Sequence, residues 1–428
     1  MRVLIVGVSG FIGSALAARL SARGDEVVGV SRSRPPTDLP LRHIALDVAT
    51  AVSPGDWRQH LAGIDAVVYC AGALQDSRSD SLEAVHHQAP SALFAACVAA
   101  GVRRVVHLSA IGVDRAAPTA FSRTKRKGDH ALAGLDLDWV ILRPSVVVGR
   151  TAYGGSALLR GLAALPVLPL PRDAGRLQVV HLDDLMQTIL FFLEPKAPAK
   201  IALDIVGPRA WSLEDLVGLF RRWLGGRPAV VVHLPAWLGV LAFRLGDLAG
   251  WFGWRSAVRS TAGHELLRGA EGDPEPWMAA TGIQPRDIDA ALRREAATVQ
   301  EKWFARLYLL RPWIFGIAAL FWISTGLIAL GPGWQNGVAL MNEGGVRGWP
   351  AAATVVAGAL CDIAVGLAIA WRRTARAGVT AAFVITLVYA VLGTILVPSL
   401  WIDPMGPMLK AIPILVLHLA ALGIIEDR

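Results

Sequence analysis

Charge is distributed very unevenly along this chain of 428 residues. The last 117 residues, from Pro312 onward, carry only 11 Asp, Glu, Lys or Arg side chains, whereas the first 311 residues carry the other 65. A hydrophobic fraction of 54% and a mean hydropathy of +0.47 are too high for a disordered or wholly water-soluble protein. The sequence therefore predicts a soluble body followed by a membrane-spanning tail.

Four apolar stretches in the tail are long enough to cross about 30 Å of hydrocarbon as helices. They cover residues 312–330, 351–371, 379–397 and 408–425. Arg311 precedes the first stretch, and Arg372, Arg373 and Arg376 join the second to the third. Because basic loops stay on the cytoplasmic side, this pattern predicts that both termini lie in the cytoplasm.

The soluble body alternates β-branched apolar runs with segments of helical length. The runs cover residues 3–6, 27–30, 66–69, 105–108 and 139–142. Continuous apolar runs are typical of parallel strands that are buried on both faces. They predict an α/β Rossmann-like doubly wound parallel sheet over residues 1–149. Residues 150–310 are interpreted as a substrate lobe with juxtamembrane helices at 212–224 and 285–308, and residues 311–428 as an all-α bundle of four spans.

The first predicted strand runs into a glycine-rich turn, Gly7-Val8-Ser9-Gly10-Phe11-Ile12-Gly13, and then into a predicted helix over residues 14–23. Gly7 permits a tight turn, Gly10 permits close approach of a pyrophosphate, and Gly13 permits close packing of the helix on the strand. Phosphates bind well at the N-terminus of such a helix. The motif therefore predicts dinucleotide binding.

This arrangement resembles the extended and atypical branches of the short-chain dehydrogenase/reductase superfamily, which include the NAD-dependent epimerases and dehydratases. The matching segments are the glycine loop, Cys70-Ala71-Gly72-Ala73, Leu108-Ser109-Ala110, Arg143-Pro144 and the sequence Val180-His181-Leu182-Asp183-Asp184. The resemblance implies an NAD(P) site. Its cofactor-binding residues would be Gly7, Ser9, Gly10, Phe11, Ile12, Gly13, Ser31, Arg32, Arg34, Asp47, Ala71, Gly72, Lys125 and Pro144.

The catalytic signature of that family, YxxxK, is only partly present. The sequence here is Phe121-Ser122-Arg123-Thr124-Lys125, so the lysine is present and the phenol is not. The resemblance makes Ser109, Lys125 and Phe121, at the usual Tyr position, the candidate catalytic residues. Phenylalanine cannot exchange a proton, so a proton would have to come from water, Ser109 or the substrate. The alternative for Lys125 is a solvated basic helix face.

The second predicted strand ends in Ser31-Arg32-Ser33-Arg34 rather than in an acidic residue. An acidic residue there binds the ribose 2′-hydroxyl of NAD, whereas guanidinium groups suit a 2′-phosphate. The sequence therefore predicts NADP over NAD. The alternative is that Arg32 and Arg34 are ordinary loop charges.

A further apolar stretch, residues 235–254, has Arg244 and Asp247 near its centre, which argues against a fifth span. Three interpretations remain: a helix on the membrane surface, a helix that closes the substrate site, or an ordinary packed helix of the second lobe.

The tail resembles the DoxX-like family of four-helix membrane proteins, some of which are linked to quinone-coupled redox chemistry. Together the two halves resemble bacterial fusion proteins, which implies the bacterial inner membrane. Asp362, Tyr389 and His418 are expected at a similar depth of the bundle, where polar groups are costly. We expect Asp362 and His418 to meet there, either as a functional centre or as a structural contact.

Two functions fit this sequence. The first is an NADP(H)-dependent reductase acting on a lipophilic substrate such as a quinone, isoprenoid or lipid carbonyl. The second is a non-catalytic nucleotide-binding structural, assembly or sensing protein of a membrane complex. The net charge of +8 fits a surface of membrane lipid, whereas no basic-aromatic array points to nucleic acid. Three cysteines without ligand spacing predict no metal site, and the oligomeric state stays open.

Overall fold

A computed structural model describes residues 1–35, 38–77, 80–116, 118–171, 173–254 and 257–425. The strands are β1 (Arg2–Val6), β2 (Glu26–Ser31), β3 (Leu41–Ala45), β4 (Ala66–Tyr69), β5 (Arg104–Leu108), β6 (Asp138–Pro144), β7 (Val147–Val148), β8 (Val167–Pro171), β9 (Val180–His181), β10 (Ile201–Ile205) and β11 (Val230–Leu234). Single turns of other helix types occur at Val48–Thr50, Ala84–Gln88 and Pro398–Trp401.

The α-helices account for most of the remaining ordered chain. They are α1 (Phe11–Ala22), α2 (Pro54–Arg58), α3 (Ala89–Ala100), α4 (Ala120–Ala133), α5 (Gly154–Ala163), α6 (Leu182–Leu193), α7 (Leu213–Trp223), α8 (Ala236–Trp251), α9 (Ser260–Arg268), α10 (Glu275–Thr281), α11 (Ile288–Arg294), α12 (Val299–Leu330), α13 (Trp334–Glu343), α14 (Trp349–Ala370), α15 (Ala375–Leu396) and α16 (Pro407–Ile424).

The described residues divide into two compact units. One contains Met1–Leu248 and Ser256–Arg306, and the other contains Ala249–Arg255 and Leu307–Arg428. In the first unit, the described strands include seven that form one parallel sheet in the order β10-β6-β5-β4-β1-β2-β3. The order reverses at β1, and ligands of such sheets bind at the carboxyl ends of the strands beside that point.

The sheet is buried on both faces by apolar side chains. One face packs against a cluster that includes Trp57 and Phe94, and the other packs against Leu16, Phe192 and Trp277. This burial explains why the five predicted strands, which became β1, β2, β4, β5 and β6, have continuous apolar sequences. The predicted doubly wound Rossmann-like sheet is confirmed.

The edge strands β3 and β10 were not predicted. Both are only partly buried, and β3 has no fully buried residue among its five. An edge strand contacts one neighbour and leaves one side to solvent, so its sequence lacks the continuous apolar run of a central strand.

The predicted helix over residues 285–308 is interrupted. Asp287 caps α11, and Thr298 immediately precedes α12, where its backbone N donates to Glu301 Oε2 at 2.8 Å. Two strong N-terminal signals eleven residues apart therefore produce two helices. The structure continues α12 through Pro312, so the first apolar helix begins well before the predicted residue 312.

Two small parallel ladders lie outside the seven-stranded sheet, one formed by β8 with β11 and the other by β7 with β9. The sequence Val180-His181-Leu182-Asp183-Asp184 forms the start of α6. His181 Nδ1 accepts from the Asp183 backbone N at 3.2 Å, and Asp184 Oδ2 accepts from the Arg286 backbone N at 2.8 Å. These bonds fix the beginning of α6 to the segment before α11.

The second unit contains helices of membrane-spanning length. Among the described residues, α12, α14, α15 and α16 are long and apolar enough to cross a bilayer. These four helices are confirmed as predicted, with ends shifted by a few residues except for the start of α12. A short helix, α13, was not predicted between the first two.

The stability of the first unit depends on Trp277. Its side chain is fully buried, and its indole Nε1 donates to Thr188 Oγ1 on α6 at 3.0 Å. We expect Trp277→Ala to lower the free energy of unfolding by about 3–5 kcal/mol, because it leaves a cavity and an unpaired hydroxyl. The measurement is the thermal midpoint of the full-length protein in detergent. Trp303→Ala, at an exposed position, is the control, and equal shifts for both variants would contradict this prediction.

Candidate functional site

The glycine turn between β1 and α1 is packed too tightly for a side chain at Gly7 or at Gly13. Gly7 has a φ of +89°, and its backbone N donates to Val30 O at 2.8 Å. A Cβ on Gly13 would lie 2.3 Å from Gly7 O, and a Cβ on Gly7 would lie 2.8 Å from Ala71 N. The turn therefore brings backbone amides and the N-terminus of α1 to the carboxyl edge of the sheet, where they can hold phosphates.

Ser9, Gly10, Phe11 and Ile12 lie in this turn and at the start of α1, where all four are only half-buried. The Phe11 ring stacks on Tyr153, with ring centres 5.9 Å apart and planes 13° apart. Sequence reasoning did not identify Tyr153. Its partner lies more than a hundred residues away, and no local pattern marks it.

The segment after β2 carries the predicted 2′-phosphate ligands. Ser31 Oγ donates to Ser33 O at 2.8 Å, and Arg32 forms an ion pair with Asp80 at 2.8 Å. Arg34 is exposed, and its nearest acidic oxygen, on Asp38, is 3.9 Å away. Both guanidinium groups therefore lie at the end of β2, with Arg32 already oriented by a carboxylate.

Asp47 follows β3 and is engaged in local structure. Its Oδ1 accepts from the Ala49 backbone N at 3.1 Å, which caps the turn Val48–Thr50. Pro144, at the end of β6, accepts from Ile111 N at 3.2 Å through its carbonyl oxygen. These contacts order the two segments, and the predicted cofactor contacts of both residues stay predictions.

Lys125 is buried, although its neighbours Arg123, Arg126 and Lys127 on α4 are exposed. Its Nζ donates to Leu108 O at 2.8 Å, and a Cβ on Gly72 would lie 3.6 Å from that Nζ. Burial lowers the pKa of Lys125 to about 8, and the nearby Asp129 carboxylate opposes that shift. Lys125 is therefore not part of a solvated basic helix face. Its amine lies between β5 and the loop that follows β4.

His86 is a buried residue of the site that the sequence did not reveal. Its Nε2 accepts from Ala73 N at 3.1 Å, and its Nδ1 lies 2.9 Å from Thr124 Oγ1. Because Nε2 accepts, the ring proton is on Nδ1. Burial and the charge on Lys125 lower the pKa of His86, which keeps the ring neutral. The Phe121 ring meets His86 edge-on, with ring centres 5.3 Å apart.

Ser109 lies beside a buried charged group. Its Oγ is buried and has no hydrogen-bond partner within the described ranges. On the same side of the sheet, the Asp129 carboxylate lies 3.2 Å from Arg143 Nε and 3.4 Å from His107 Nε2. Ser109 Oγ and Lys125 Nζ are therefore two groups with exchangeable protons at this end of the sheet.

The polar residues of the spanning helices form two separate contacts. Tyr389 OH donates to Asp362 Oδ1 at 2.9 Å, and Trp322 Nε1 donates to His418 Nε2 at 3.3 Å. In the part of the chain that the structure describes, no hydrogen bond joins Asp362 to His418. The expected contact is therefore replaced by two pairs, and Trp322 was not identified from the sequence.

Comparisons with known proteins divide the chain in the same way. Residues 7–160 match the family described as NAD(P)H-binding, and residues 319–419 match the DoxX-like family. An uncharacterised protein of Mycobacterium tuberculosis is 28% identical over 246 residues, which are 57% of this chain and 25% of that protein. The chain thus spans about a quarter of the length of its mycobacterial relatives.

An enzyme and a solved structure are similar to the N-terminal part. The ceramide reductase of Caulobacter vibrioides is 22% identical over 235 residues, which are 54% of this chain and 73% of that enzyme. The Bordetella bronchiseptica enzyme WbmG in complex with NAD is 18% identical, with a TM-score of 0.52, over 68% of this chain and 92% of that one. The chain therefore joins a domain that matches the NAD(P)H-binding family, and that has the fold of the short-chain dehydrogenases/reductases and of an epimerase, to a C-terminal domain that matches the DoxX-like family and has helices long enough to cross a membrane.

Proposed function

We propose that this protein is a membrane-anchored reductase that binds NADP(H) and acts on a lipophilic carbonyl compound, such as a quinone, an isoprenoid or a lipid. The observation that carries the proposal is the burial of Lys125 Nζ against Leu108 O, next to the glycine turn, in a chain that also has a membrane domain. The name of the Caulobacter relative, a ceramide reductase, supports a lipid carbonyl as the substrate class.

The residues present fit a dinucleotide. A Cβ on Gly13 would strike Gly7 O, so α1 starts in close contact with the turn, and the first backbone amides of α1, which have no side-chain cap, can donate to phosphate oxygens. Arg32 and Arg34 supply guanidinium groups for a 2′-phosphate, and Lys125 supplies an ammonium for ribose hydroxyls. A bound NADPH would supply a hydride to the carbonyl carbon.

The proton for the resulting alkoxide cannot come from Phe121. Lys125 and Ser109 carry exchangeable protons, and water is the third source. Lys125 is the stronger acid of the two side chains, because burial lowers its pKa to about 8, close to neutral pH. His86 orients α4 and the loop after β4 and keeps its own proton in the bond to Thr124.

Phe121 favours a second candidate function, a nucleotide-binding subunit without catalysis. Its ring packs edge-on against His86, which is a stable aromatic contact that performs no proton transfer. Both candidates share the nucleotide site. They differ in whether the protein oxidises NADPH when a carbonyl compound is added.

The proposed location is the bacterial inner membrane, with both termini in the cytoplasm. The basic residues Arg311, Arg372, Arg373 and Arg376 support this orientation. The test of the proposed function is mass spectrometry of nucleotides and lipids that copurify in mild detergent, followed by NADPH oxidation with ceramide precursors, quinones and isoprenoid aldehydes. Bound NADP without any oxidation across that panel would support the subunit and reject the reductase.

Arg32 should set the preference for NADP. We expect Arg32→Asp to weaken NADP(H) binding by one to two orders of magnitude and to affect NAD(H) far less, because a carboxylate repels the 2′-phosphate. Titration calorimetry or nucleotide fluorescence measures both affinities. Arg58→Asp, at an exposed position of α2, repeats the charge change as a control. A second variant, Asp80→Asn, removes the ion-pair partner of Arg32 without adding a negative charge. Tighter binding of NAD(H) to the wild-type protein would overturn the assignment.

The burial of the Lys125 ammonium should destabilise the folded protein, and the same group should contribute to nucleotide binding. In the folded protein its pKa is below that of an unfolded lysine, so the unfolded state binds more protons between about pH 8 and pH 10.5. Stability should therefore rise with pH across that window. We expect Lys125→Met to raise the thermal midpoint of the nucleotide-free protein at pH 7, to remove this pH dependence, and to weaken NADP(H) binding.

Lys127→Met is the matched control for that experiment. Lys127 is exposed on the same helix and pairs with Glu83 at 2.8 Å, so its loss should change stability by at most about 1 kcal/mol. It should leave nucleotide affinity unchanged. Normal nucleotide binding by Lys125→Met would reject the role given to Lys125.

Phe121→Tyr should create or raise reductase activity in the same assay. The phenol would be four residues before Lys125 on one helix face, where a nearby ammonium favours its ionised form. The control is Phe121→Leu, which keeps an apolar side chain without a hydroxyl. An unchanged rate of NADPH oxidation with Phe121→Tyr would show that more than the phenol is missing.

In the membrane domain, substitutions within one polar pair should have coupled effects on stability, and substitutions in different pairs should have independent effects. We expect Asp362→Leu and Tyr389→Phe to be non-additive in thermal midpoint, because each removes the same hydrogen bond. Asp362→Asn and His418→Gln should be additive, since they belong to different contacts. Strong coupling between Asp362 and His418 would contradict this separation.

A further inference from the structure

The helix α8 has one face along which large apolar side chains are exposed. Along that face, Trp237, Leu241, Leu245 and Leu248 follow one another at steps of three or four residues. Each of these side chains is between 47% and 65% exposed. Val240 and Trp251 extend the face on either side, and both are exposed as well. Contiguous apolar patches of this kind mark interaction surfaces.

The opposite face of α8 is packed closely against the soluble unit. A Cβ on Gly246 would lie 1.6 Å from Val258 O, and a Cβ on Gly263 would lie 2.7 Å from the Phe243 ring. Asp247 Oδ1 accepts from Gln75 Nε2 at 3.0 Å. These contacts bind one side of α8 to the rest of the first unit. The exposed apolar face lies on the other side of the helix.

The helix α9, which follows α8, is bonded to the start of α4, next to Phe121. Glu265 Oε1 accepts from Ser122 Oγ at 2.9 Å, and Arg268 donates to the same Oγ at 3.0 Å. Arg268 also donates to Gly112 O at 3.1 Å. Together with the bond between Gln75 and Asp247, these contacts connect α8 and α9 to two segments that border the candidate site.

The residues that end α8 belong to the membrane unit. Trp254 Nε1 donates to Ala370 O, at the last residue of α14, at 2.8 Å. Arg372 N donates to Phe252 O at 3.0 Å, and the rings of Trp254 and Phe315 are centred 4.8 Å apart. The segment that follows α8 therefore contacts the end of α14, a helix long and apolar enough to cross a bilayer.

We propose that α8 lies in the headgroup layer of the membrane, parallel to its surface, with the face from Trp237 to Leu248 inserted toward the acyl chains. The occupant of this apolar face is bilayer lipid. An interfacial helix has a strong apolar face, tryptophans that favour the interface, and a cationic side chain that reaches the lipid phosphates. Trp237 and Trp251 lie near its two ends, and the exposed Arg244 supplies the cation.

Lipid explains the position of this face better than a protein partner does. The end of α8 is already fixed at the end of α14, so a helix parallel to the surface would bring the whole apolar face into contact with the bilayer. A second copy of the chain would need an isologous contact along the same face. This inference is independent of the proposed reductase activity, since it concerns only the surface of α8.

The test uses the full-length protein in nanodiscs of phosphatidylcholine and phosphatidylglycerol. The exposed Cys361 is first replaced by alanine, and a single cysteine is introduced as Trp237→Cys, Leu241→Cys or Leu248→Cys and labelled with the environment-sensitive dye NBD. The control is Val98→Cys on α3, because Val98 and Leu241 are both 47% exposed and both helical. Phosphatidylcholine with a doxyl group on its acyl chain serves as the quencher.

We expect labels at all three positions of α8 to emit at shorter wavelength and several-fold more strongly than the label at Val98. The doxyl lipid should quench the three labels to similar extents and leave the control unchanged. If the label at Leu248 is quenched and the label at Trp237 is not, α8 points away from the membrane surface. That result would overturn the proposal.

Two further outcomes would also overturn the proposal. Labels on α8 as water-exposed as the control would show that lipid does not cover the face. Labels that are shielded from water but not quenched by lipid, and that become exposed when each nanodisc holds a single copy, would assign the face to a second copy. A charged variant, Leu241→Asp with Leu245→Asp, should abolish the lipid quenching of a label at Leu248 while thermal stability in detergent stays near that of the parent.

Discussion

The burial of the Lys125 ammonium is the interaction on which the candidate site depends. Its Nζ donates to the carbonyl of Leu108 at the end of β5 and lies directly under the backbone of Gly72 after β4. One side chain on α4 therefore joins two neighbouring strand ends at the point where a dinucleotide crosses the sheet. His86 adds a second connection between the same loop and the same helix through Ala73 and Thr124. Buried polar bonds thus hold the segments of the candidate site together.

Those parts of the structure that follow from local sequence patterns could be predicted. The glycine turn, the five central strands and the four apolar helices each have a signature within about twenty consecutive residues. Ser212 and Thr298 mark helix starts in the same local way, and the predicted helix over residues 212–224 matches α7, whereas the start of α12 was not predicted. Edge strands such as β3 lack a strong pattern, because only one side of an edge strand is covered.

The unpredicted parts of the site are contacts between distant segments. Nothing near His86 distinguishes it from its neighbour His87, yet His86 is buried on Thr124 while His87 binds Glu83 near the surface. Tyr153 on Phe11 and Trp322 on His418 are of the same kind. Depth in the membrane was the basis for grouping Asp362, Tyr389 and His418, but depth does not fix the direction in which each side chain points around its helix. The directions of the side chains around their helices place Asp362 against Tyr389 and His418 against Trp322.

Phe121 and Lys125 together limit what the site can be. An ammonium held at a pKa of about 8 costs the folded state about 3 kcal/mol at neutral pH, and neither the sheet nor α4 needs that charge for packing. Groups whose burial opposes folding are characteristic of ligand sites, where the ligand supplies the missing interaction. The cost therefore argues for a bound nucleotide under either proposed function. It does not argue for catalysis, because Phe121 occupies the position from which a phenol would deliver the proton, and the ring contact with His86 leaves that position apolar. The reductase function therefore requires that Lys125, Ser109 or water protonate the alkoxide, since the Phe121 ring has no exchangeable proton.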